Sequence, residues 1–310
     1  MPKVTIIGGS VIDLFLYPHH HMNLHDSNPG YLKKSLGGVG RNIAENLSRL
    51  GIQTTLITPL GQDHYQAMIL DQAKAIGLNI CSIPILETPL YVSVMDEKGE
   101  DLVGVAVMDD IQKMTVKDIL IYQPYIDEAD ILVMDTNLSR DVLSYFLKKY
   151  QHKMYMDAIS GQKAIKLRDL LPYIHTLKLN LIEAMTLAGF GDDTKEGLHA
   201  LGHYFIDQGI DEIYITLGEK GAYYKNKDKT LFQKPIPIQI QGATGAGDAF
   251  FAGVIYAAAH NKEGLSYGIA NAYFNLKDPH AVNPILTSEI LENIIKEWSL
   301  WNIIYTYIQK

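Results

Sequence analysis

The sequence predicts a doubly wound α/β fold, a mainly parallel sheet with helices on both faces, extended by a small β-sheet lid. Three observations predict it. Short β-rich runs alternate with longer helical patterns along the chain, two glycine-rich turns each lead straight into a helix, and two pairs of extended segments interrupt the alternation with no helix between their members.

The elements follow in order. Val4–Ile7 is a first buried strand that stops at Gly8-Gly9, far short of the roughly 20 residues of a membrane span. Ile12–Tyr17 and Tyr31–Leu36 are the first extended pair. After Gly40 a helix is expected, because Ile43, Leu47 and Leu50 recur at helical spacing and Gly51 supplies the stop. Thr54–Thr58 is the next strand. Tyr91–Met95 and Leu102–Val107 are the second extended pair, joined by the hairpin-type turn Asp96-Glu97-Lys98-Gly99-Glu100. These four segments predict a small antiparallel lid; an edge extension of the main sheet is the alternative. One reading of their alternation puts Tyr17, Tyr31, Tyr91 and Val92 on an exposed face, to be covered in a homodimer. Ile131–Met134, Met154–Met156, Thr176–Leu179 and Glu212–Leu217 continue the parallel sheet. The helix from near Ala246 to about Ala259 is apolar all round, which predicts that both of its faces are covered. The aromatic run Trp298–Tyr307 is expected to dock on the body. With no repeat or linker, residues 1–310 read as one unit with lid segments at about 12–36 and 89–108.

A chain of 310 residues can build a single core that buries about 75% of the unfolded surface. The formal net charge of −8 argues against a nucleic-acid partner, whose phosphates need lysine and arginine, and points to a small ligand. Cys81 is the only cysteine and no secretory leader pattern opens the chain, so the cytoplasm is the expected compartment and no membrane partner is expected.

The strongest local signal is Gly242-Ala243-Thr244-Gly245-Ala246-Gly247-Asp248-Ala249-Phe250-Phe251. Small residues let backbone N–H groups approach an anion, and the helix N-terminus adds about half a positive charge. Asp248 falls in the first turn, where it can accept the proton of an attacking hydroxyl or simply cap a tight turn. In Gly37-Gly38-Val39-Gly40-Arg41-Asn42 the glycines would let a sugar lie against the backbone while the Asn42 amide meets hydroxyls, unless this is only a tight strand-to-helix turn. Asp13, just beyond the first strand, can accept from two adjacent hydroxyls or serve as a turn residue. Asn180 and Glu183, three apart, suit a hydrated Mg²⁺ or phosphate oxygens, and suit equally an N-cap with its N3 glutamate. Thr216-Leu217-Gly218-Glu219-Lys220-Gly221 either wraps nucleotide phosphates or turns a hairpin.

In this order, separated by βα units, GGxGxN, NxxE, TLGxxG and TGAGDAF strongly resemble the ribokinase-like (PfkB) carbohydrate kinase family over essentially the whole chain. The resemblance implies an ATP- and Mg²⁺-dependent kinase in which Asp248 matches the base and Gly245, Ala246 and Gly247 the anion hole. Asn180 and Glu183 match the magnesium and phosphate motif, with Mg²⁺ held through water, and Gly218 and Gly221 the nucleotide turn; Thr216 and Thr244 join the ATP set. Asp13, Gly38 and Asn42 match the sugar-hydroxyl contacts. Within the family, Gly37–Leu47, His175–Asn180 running into Glu183-Ala184, and Ala281-Val282-Asn283-Pro284 are similar to the subfamily of pseudouridine kinases, which phosphorylate a nucleoside 5′-hydroxyl.

Two departures stand out. Gly242-Ala243 replaces the usual Asp-Thr, which puts activation by a monovalent cation in question, and Leu179 replaces a usual proline. Asn137 lies where the crevice should be and could touch the nucleoside. Asn275 could border the adenine or be an exposed helical asparagine, and Asp157 is a further candidate near the nucleotide. His19-His20-His21 reads as a polar loop, since adjacent side chains diverge. Two other functions stay open: a kinase of a free sugar or another nucleoside, and a non-catalytic sensor on a kinase fold. Intact Asp248 and its glycine turn argue against the sensor, as does the lack of a DNA-binding segment before Val4.

Overall fold

The computed structural model describes the backbone of residues 2–308 and the side chains of residues 2–298. In chain order the strands are β1 (Lys3–Ile7), β2 (Val11–Pro18), β3 (Gly30–Gly37), β4 (Gln53–Gly61), β5 (Asn79–Ile85), β6 (Leu90–Met95), β7 (Asp101–Val107), β8 (Ile131–Asp135), β9 (Met154–Asp157), β10 (Thr176–Asn180), β11 (Glu212–Thr216), β12 (Ala222–Asn226) and β13 (Thr230–Gln233). The helices are α1 (Val39–Arg49), α2 (His64–Ala75), α3 (Asp109–Lys113), α4 (Val116–Leu120), α5 (Gln123–Asp127), α6 (Arg140–Tyr150), α7 (Gly161–Ala164), α8 (Leu181–Ala188), α9 (Lys195–Asp207), α10 (Ala246–Ala259), α11 (Gly264–Asn275) and α12 (Ser288–Ile308).

The large sheet runs β13-β12-β11-β10-β9-β8-β1-β4-β5. It is parallel from β5 to β11 and closes with the antiparallel strands β12 and β13. Side chains two apart share a face, and the core shows it. Ile7 and Met134 pack with Phe146, Leu179 and Phe205 on one side, while their neighbours Ile6 and Val133 pack with Leu47, Phe251 and Ile255 on the other. Apolar strands buried on both faces are what helices on two sides require.

The predicted strands fall on the observed ones. Strands β5, β12 and β13 were not predicted. β5 carries Pro84 and lies at the sheet edge, where a proline is tolerated because no neighbour needs its N–H. α10 matches its predicted span of Ala246–Ala259 and is buried without a break from Ala249 to Ala257, under α1 and α11. A side chain on Gly253 would run into the Tyr267 carbonyl oxygen, and Gly268 lies beside it, so the two glycines let α10 and α11 pack backbone to backbone.

The second sheet, β3-β2-β6-β7, joins the two expected pairs of extended segments, with Ile12 opposite Leu36 and Tyr17 opposite Tyr31. It is not antiparallel throughout: β2 and β6 run parallel at its centre. The expected face is corrected at Val92, while Tyr31 is exposed as expected. Tyr17, Tyr31 and Tyr91 share the face of Asp13, whereas Val92 lies on the opposite one, because neighbours along a strand diverge. That opposite face carries the exposed apolar residues Leu16, Leu32, Val103, Val105 and Val107. Trp298 packs against the core, and the side chains of the rest of the Trp298–Tyr307 run lie outside the described residues. No helix among the described residues is long and apolar enough to cross a membrane.

Because α10 is held by backbone contact with α11, Gly253→Val should destabilise the fold by roughly 1–3 kcal/mol or more through overpacking. A lower urea midpoint at unchanged slope is the expected result; an unchanged midpoint would show that the helices part freely.

Candidate active site

The site forms at the carboxyl ends of β1, β8, β9 and β10, where an α/β sheet opens its crevice. The chain leaving β1 and the chain entering α1 lie on each other: a Cβ on Gly40 would stand 2.9 Å from the Gly8 Cα. Gly38 has a φ of 94°, and a side chain there would strike the Gly9 carbonyl oxygen. The glycines in this turn therefore answer a close approach that no other residue permits.

On α1, the Asn42 Nδ2 donates to Oδ2 of Asp248 at 2.8 Å, joining residues 206 apart. Its Oδ1 accepts from Arg41 Nη1 at 3.0 Å. The sequence placed this amide toward sugar hydroxyls; in the structure both of its ends already have a protein partner, which leaves one hydrogen and one lone pair for anything else.

Asp248 sits in the first turn of α10, after Gly245 at φ 75°, whose Cα lies so near the Ala281 carbonyl that only glycine fits. Burial, then the charges of Asp157 and Asp135, push its carboxyl up to about 7; Lys178 and the Asn42 hydrogen bond work the other way. Lys178, on β10, donates to Asp157 Oδ2 at 3.0 Å, and its Nζ lies 3.0 Å from where a Gly247 Cβ would be. Burial opposes the Lys178 charge, but Asp157, Glu183 and Asp248 offset this and hold the ammonium above the usual lysine value. A lysine thus stands directly behind the glycine turn, surrounded by carboxylates.

Asp13 is 9% exposed on β2, its carboxylate pressed on Gly37. Burial lifts it to about 6 against the pull of Arg41. Asn180 and Glu183 form a complete capping box on α8: Glu183 Oε2 accepts from the Asn180 N–H at 2.8 Å and Asn180 Oδ1 accepts from the Glu183 N–H at 2.8 Å. Burial raises the Glu183 carboxyl, with Lys178 opposing. The stretch Thr216–Gly221 is the turn of the β11–β12 hairpin, closed by Leu217 N–H to Gly221 O at 2.8 Å, with Gly218 and Gly221 both at positive φ.

Asn275 is not an exposed helical asparagine. It is 1% exposed, its Nδ2 donates to the Thr244 carbonyl at 3.1 Å and its Oδ1 accepts from the Asn283 N–H at 3.1 Å, so it ties the glycine turn to the loop before α12. Asn137 follows β8; its N–H donates to Asp135 at 2.8 Å and its Oδ1 accepts from Lys163 Nζ at 2.6 Å. His21 meets Glu97 at the tip of the small sheet, and no group of three metal-ligating side chains gathers among the described residues.

Four participants escaped the sequence reading. Lys178 stands within the His175–Asn180 stretch with no role assigned to it, Asp135 follows a predicted strand two residues before Asn137, and Lys163 lies on α7, away in sequence from every candidate residue. Asp135 Oδ2 is buried without a hydrogen-bond partner, 2.7 Å from where a Gly8 Cβ would be. Ile159, at φ 60° two residues past Asp157, is a β-branched residue in the left-handed region, a strain of about 1–3 kcal/mol that composition cannot reveal.

The profile of the pfkB family carbohydrate kinases matches residues 1–269. The pseudouridine kinase of Escherichia coli (strain K12) is 35% identical over 256 residues, covering 81% of this chain and 82% of its own. A carbohydrate kinase from Agrobacterium tumefaciens superposes with a TM-score of 0.84 at 27% identity, over 96% of this chain and 97% of that one. The ribokinase of Arabidopsis thaliana, solved with ribose and ATP, superposes with a TM-score of 0.81 at 20% identity over 95% of this chain and 99% of that one, a likeness of fold. On the strength of the profile match and the 35% relative, this chain belongs to the pfkB family of carbohydrate kinases.

Proposed function

We propose that this kinase transfers the γ-phosphoryl group of ATP to the 5′-hydroxyl of a nucleoside, converting pseudouridine to pseudouridine 5′-phosphate. One observation carries the chemistry: a partly buried carboxylate, Asp248, at the start of a helix, beside the small-residue turn Gly245–Gly247 and held by an amide from the opposite glycine turn. The substrate rests on the Escherichia coli pseudouridine kinase and on the stretches that resemble that subfamily.

In this reading the nucleoside lies against Gly38, with its ribose near Asp13 and Asn42 and with Asn137 at the crevice. ATP lies along the turns that carry Thr216, Gly218, Gly221 and Thr244, with Asn180 near its phosphates and Asn275 fixing the wall beside it. Asp248 takes the 5′-hydroxyl proton as the oxygen bonds to the γ-phosphorus and the bond to the β,γ-bridging oxygen breaks, leaving ADP. The N–H groups of residues 245–247 face the charge spread over the transferring group. The first N–H groups of a helix have no helical partner; that of Ala246 makes only a long contact of 3.4 Å with the Ala243 carbonyl, which a phosphate oxygen would replace.

Mg²⁺ binds through one or two carboxylates, its own waters and substrate phosphates, with no protein cage required. The Glu183 carboxylate, whose oxygens accept from the Asn180 N–H at 2.8 Å and from its Nδ2 at 2.7 Å, would hold such an ion through water. Mg²⁺ there would neutralise phosphate charge. At Gly242 a side chain would crowd Pro279 and the Asp278 carbonyl oxygen, so the position has no room for the carboxylate found in relatives that use a monovalent cation, and no such requirement is assigned.

The small sheet acts as the lid in this reading, and its exposed face of Leu16, Leu32, Val103, Val105 and Val107 is covered by a second copy in a homodimer. Sedimentation velocity should give the mass of two chains, falling toward one in Val105→Glu; a parent protein with the mass of one chain would refute it.

Incubation with Mg-ATP and, separately, pseudouridine, uridine, ribose and adenosine tests the substrate. A phosphorylated product by mass from pseudouridine, formed faster than from the others, is expected. Faster turnover of ribose would make the protein a free-sugar kinase, and pseudouridine binding with no product from any acceptor would make it a sensor.

A further inference from the structure

Arg41 lies in the sequence between two motif positions, and the structure puts its guanidinium at a junction. It is 4% exposed. Nη1 donates to the Leu36 carbonyl at 2.8 Å, near the end of the small sheet's β3, and to Asn42 Oδ1 at 3.0 Å. Nη2 pairs with Glu45, whose other oxygen accepts from Arg49 at 2.8 Å. The Arg41 Nε is buried with no partner. A buried guanidinium that leaves one donor unsatisfied is held where it is by its other contacts.

We infer that Arg41 is a positioning residue for the base: by occupying the carbonyl oxygen of the Asn42 amide it turns the N–H₂ end toward Asp248, and through Leu36 it couples that orientation to the small sheet. An amide can be flipped end for end with little change of shape, and a flipped Asn42 would present its oxygen to the carboxylate and repel it. Arg41 has donors only, so the oxygen is the end it will hold. The chain of contacts from Leu36 through Arg41 and Asn42 to Asp248 thus makes the base's hydrogen bond depend on where the root of β3 lies.

The inference rests on Asp248 being the base, and the pH dependence of kcat/KM separates the two. The groups facing Asp248 are Asp157 at the end of β9, Lys178 on β10, Asp135 at the end of β8, and Arg41 and Asn42 on α1. A hydrogen bond to a charged group is lost when the amide swings away, so the carboxyl becomes harder to ionise and the acidic limb of the profile moves to higher pH. In Arg41→Lys, which keeps the charge but loses the two-pronged Nη1 contact, the limb should rise by about one pH unit and kcat should fall by roughly 10- to 100-fold. Asn42→Ala should raise the limb similarly, and the double variant should do no more than Asn42→Ala alone, since both act on one hydrogen bond. Glu45→Gln, which disturbs the ion pair but not the Arg41–Asn42 contact, should lower the melting temperature without raising the limb.

An unmoved limb in folded Arg41→Lys, or effects that add in the double variant, would overturn the inference. So would failure of both Arg41→Lys and Arg41→Met to fold, which would make Arg41 an ion-pair residue of the core. If the parent itself showed no acidic limb, the fault would lie instead with Asp248 as the base.

Discussion

A hydrogen bond between the Asn42 amide and the Asp248 carboxylate joins the two helices whose first turns make the site. α1 leaves the glycine turn beside the small sheet and α10 leaves the glycine turn at the opposite wall, and both pack on the same face of the main sheet. Each helix starts where a glycine takes a backbone conformation or a contact distance denied to other residues, at Gly38 and at Gly245. The sheet fixes where the helices begin, and the helices fix where amide and acid meet.

Electrostatics then sets the acid's readiness. Asp157, Glu183 and Asp248 converge on one ammonium, Lys178, which is enough to keep it charged but not to lower the Asp248 carboxyl to its ordinary range. A carboxyl poised near neutrality is a better proton acceptor than one at its usual value and remains ionised in a useful fraction of molecules. Removing any one of these neighbours changes the balance, so the cluster acts as a unit. The strained Ile159 and the unpartnered Asp135 Oδ2 lie at its edge, features that a scaffold tuned for stability alone would have no reason to keep.

Much of this was legible in the sequence, for physical reasons. Alternating β and helical patterns showed the parallel core of the sheet because strands buried on two faces must be apolar throughout, and the approximate span of α10 could be read because it is apolar all round. The glycine turns and Asp248 could be read because backbone approach needs glycine. What could not be read was partnership. That the Asn42 amide meets the Asp248 carboxylate 206 residues away, and that Asn275, read as an adenine neighbour or an exposed helical residue, is buried against the Thr244 carbonyl, is hidden because an asparagine's type says nothing about which group it meets. Likewise the parallel seam between β2 and β6 and the face that Val92 takes depend on pairing, which four separate strand patterns leave open. Lys178 was hidden inside an apolar strand, where its charge is tolerated only because the tertiary fold brings carboxylates to it.

The central claim is that Asp248 accepts the proton of the attacking hydroxyl. Single-turnover phosphorylation of pseudouridine by Asp248→Asn, with ATP affinity measured calorimetrically on the same protein, tests it most directly. The expected result is a rate lower by about 10² to 10⁴ with ATP binding retained; phosphorylation at the parent rate would contradict it.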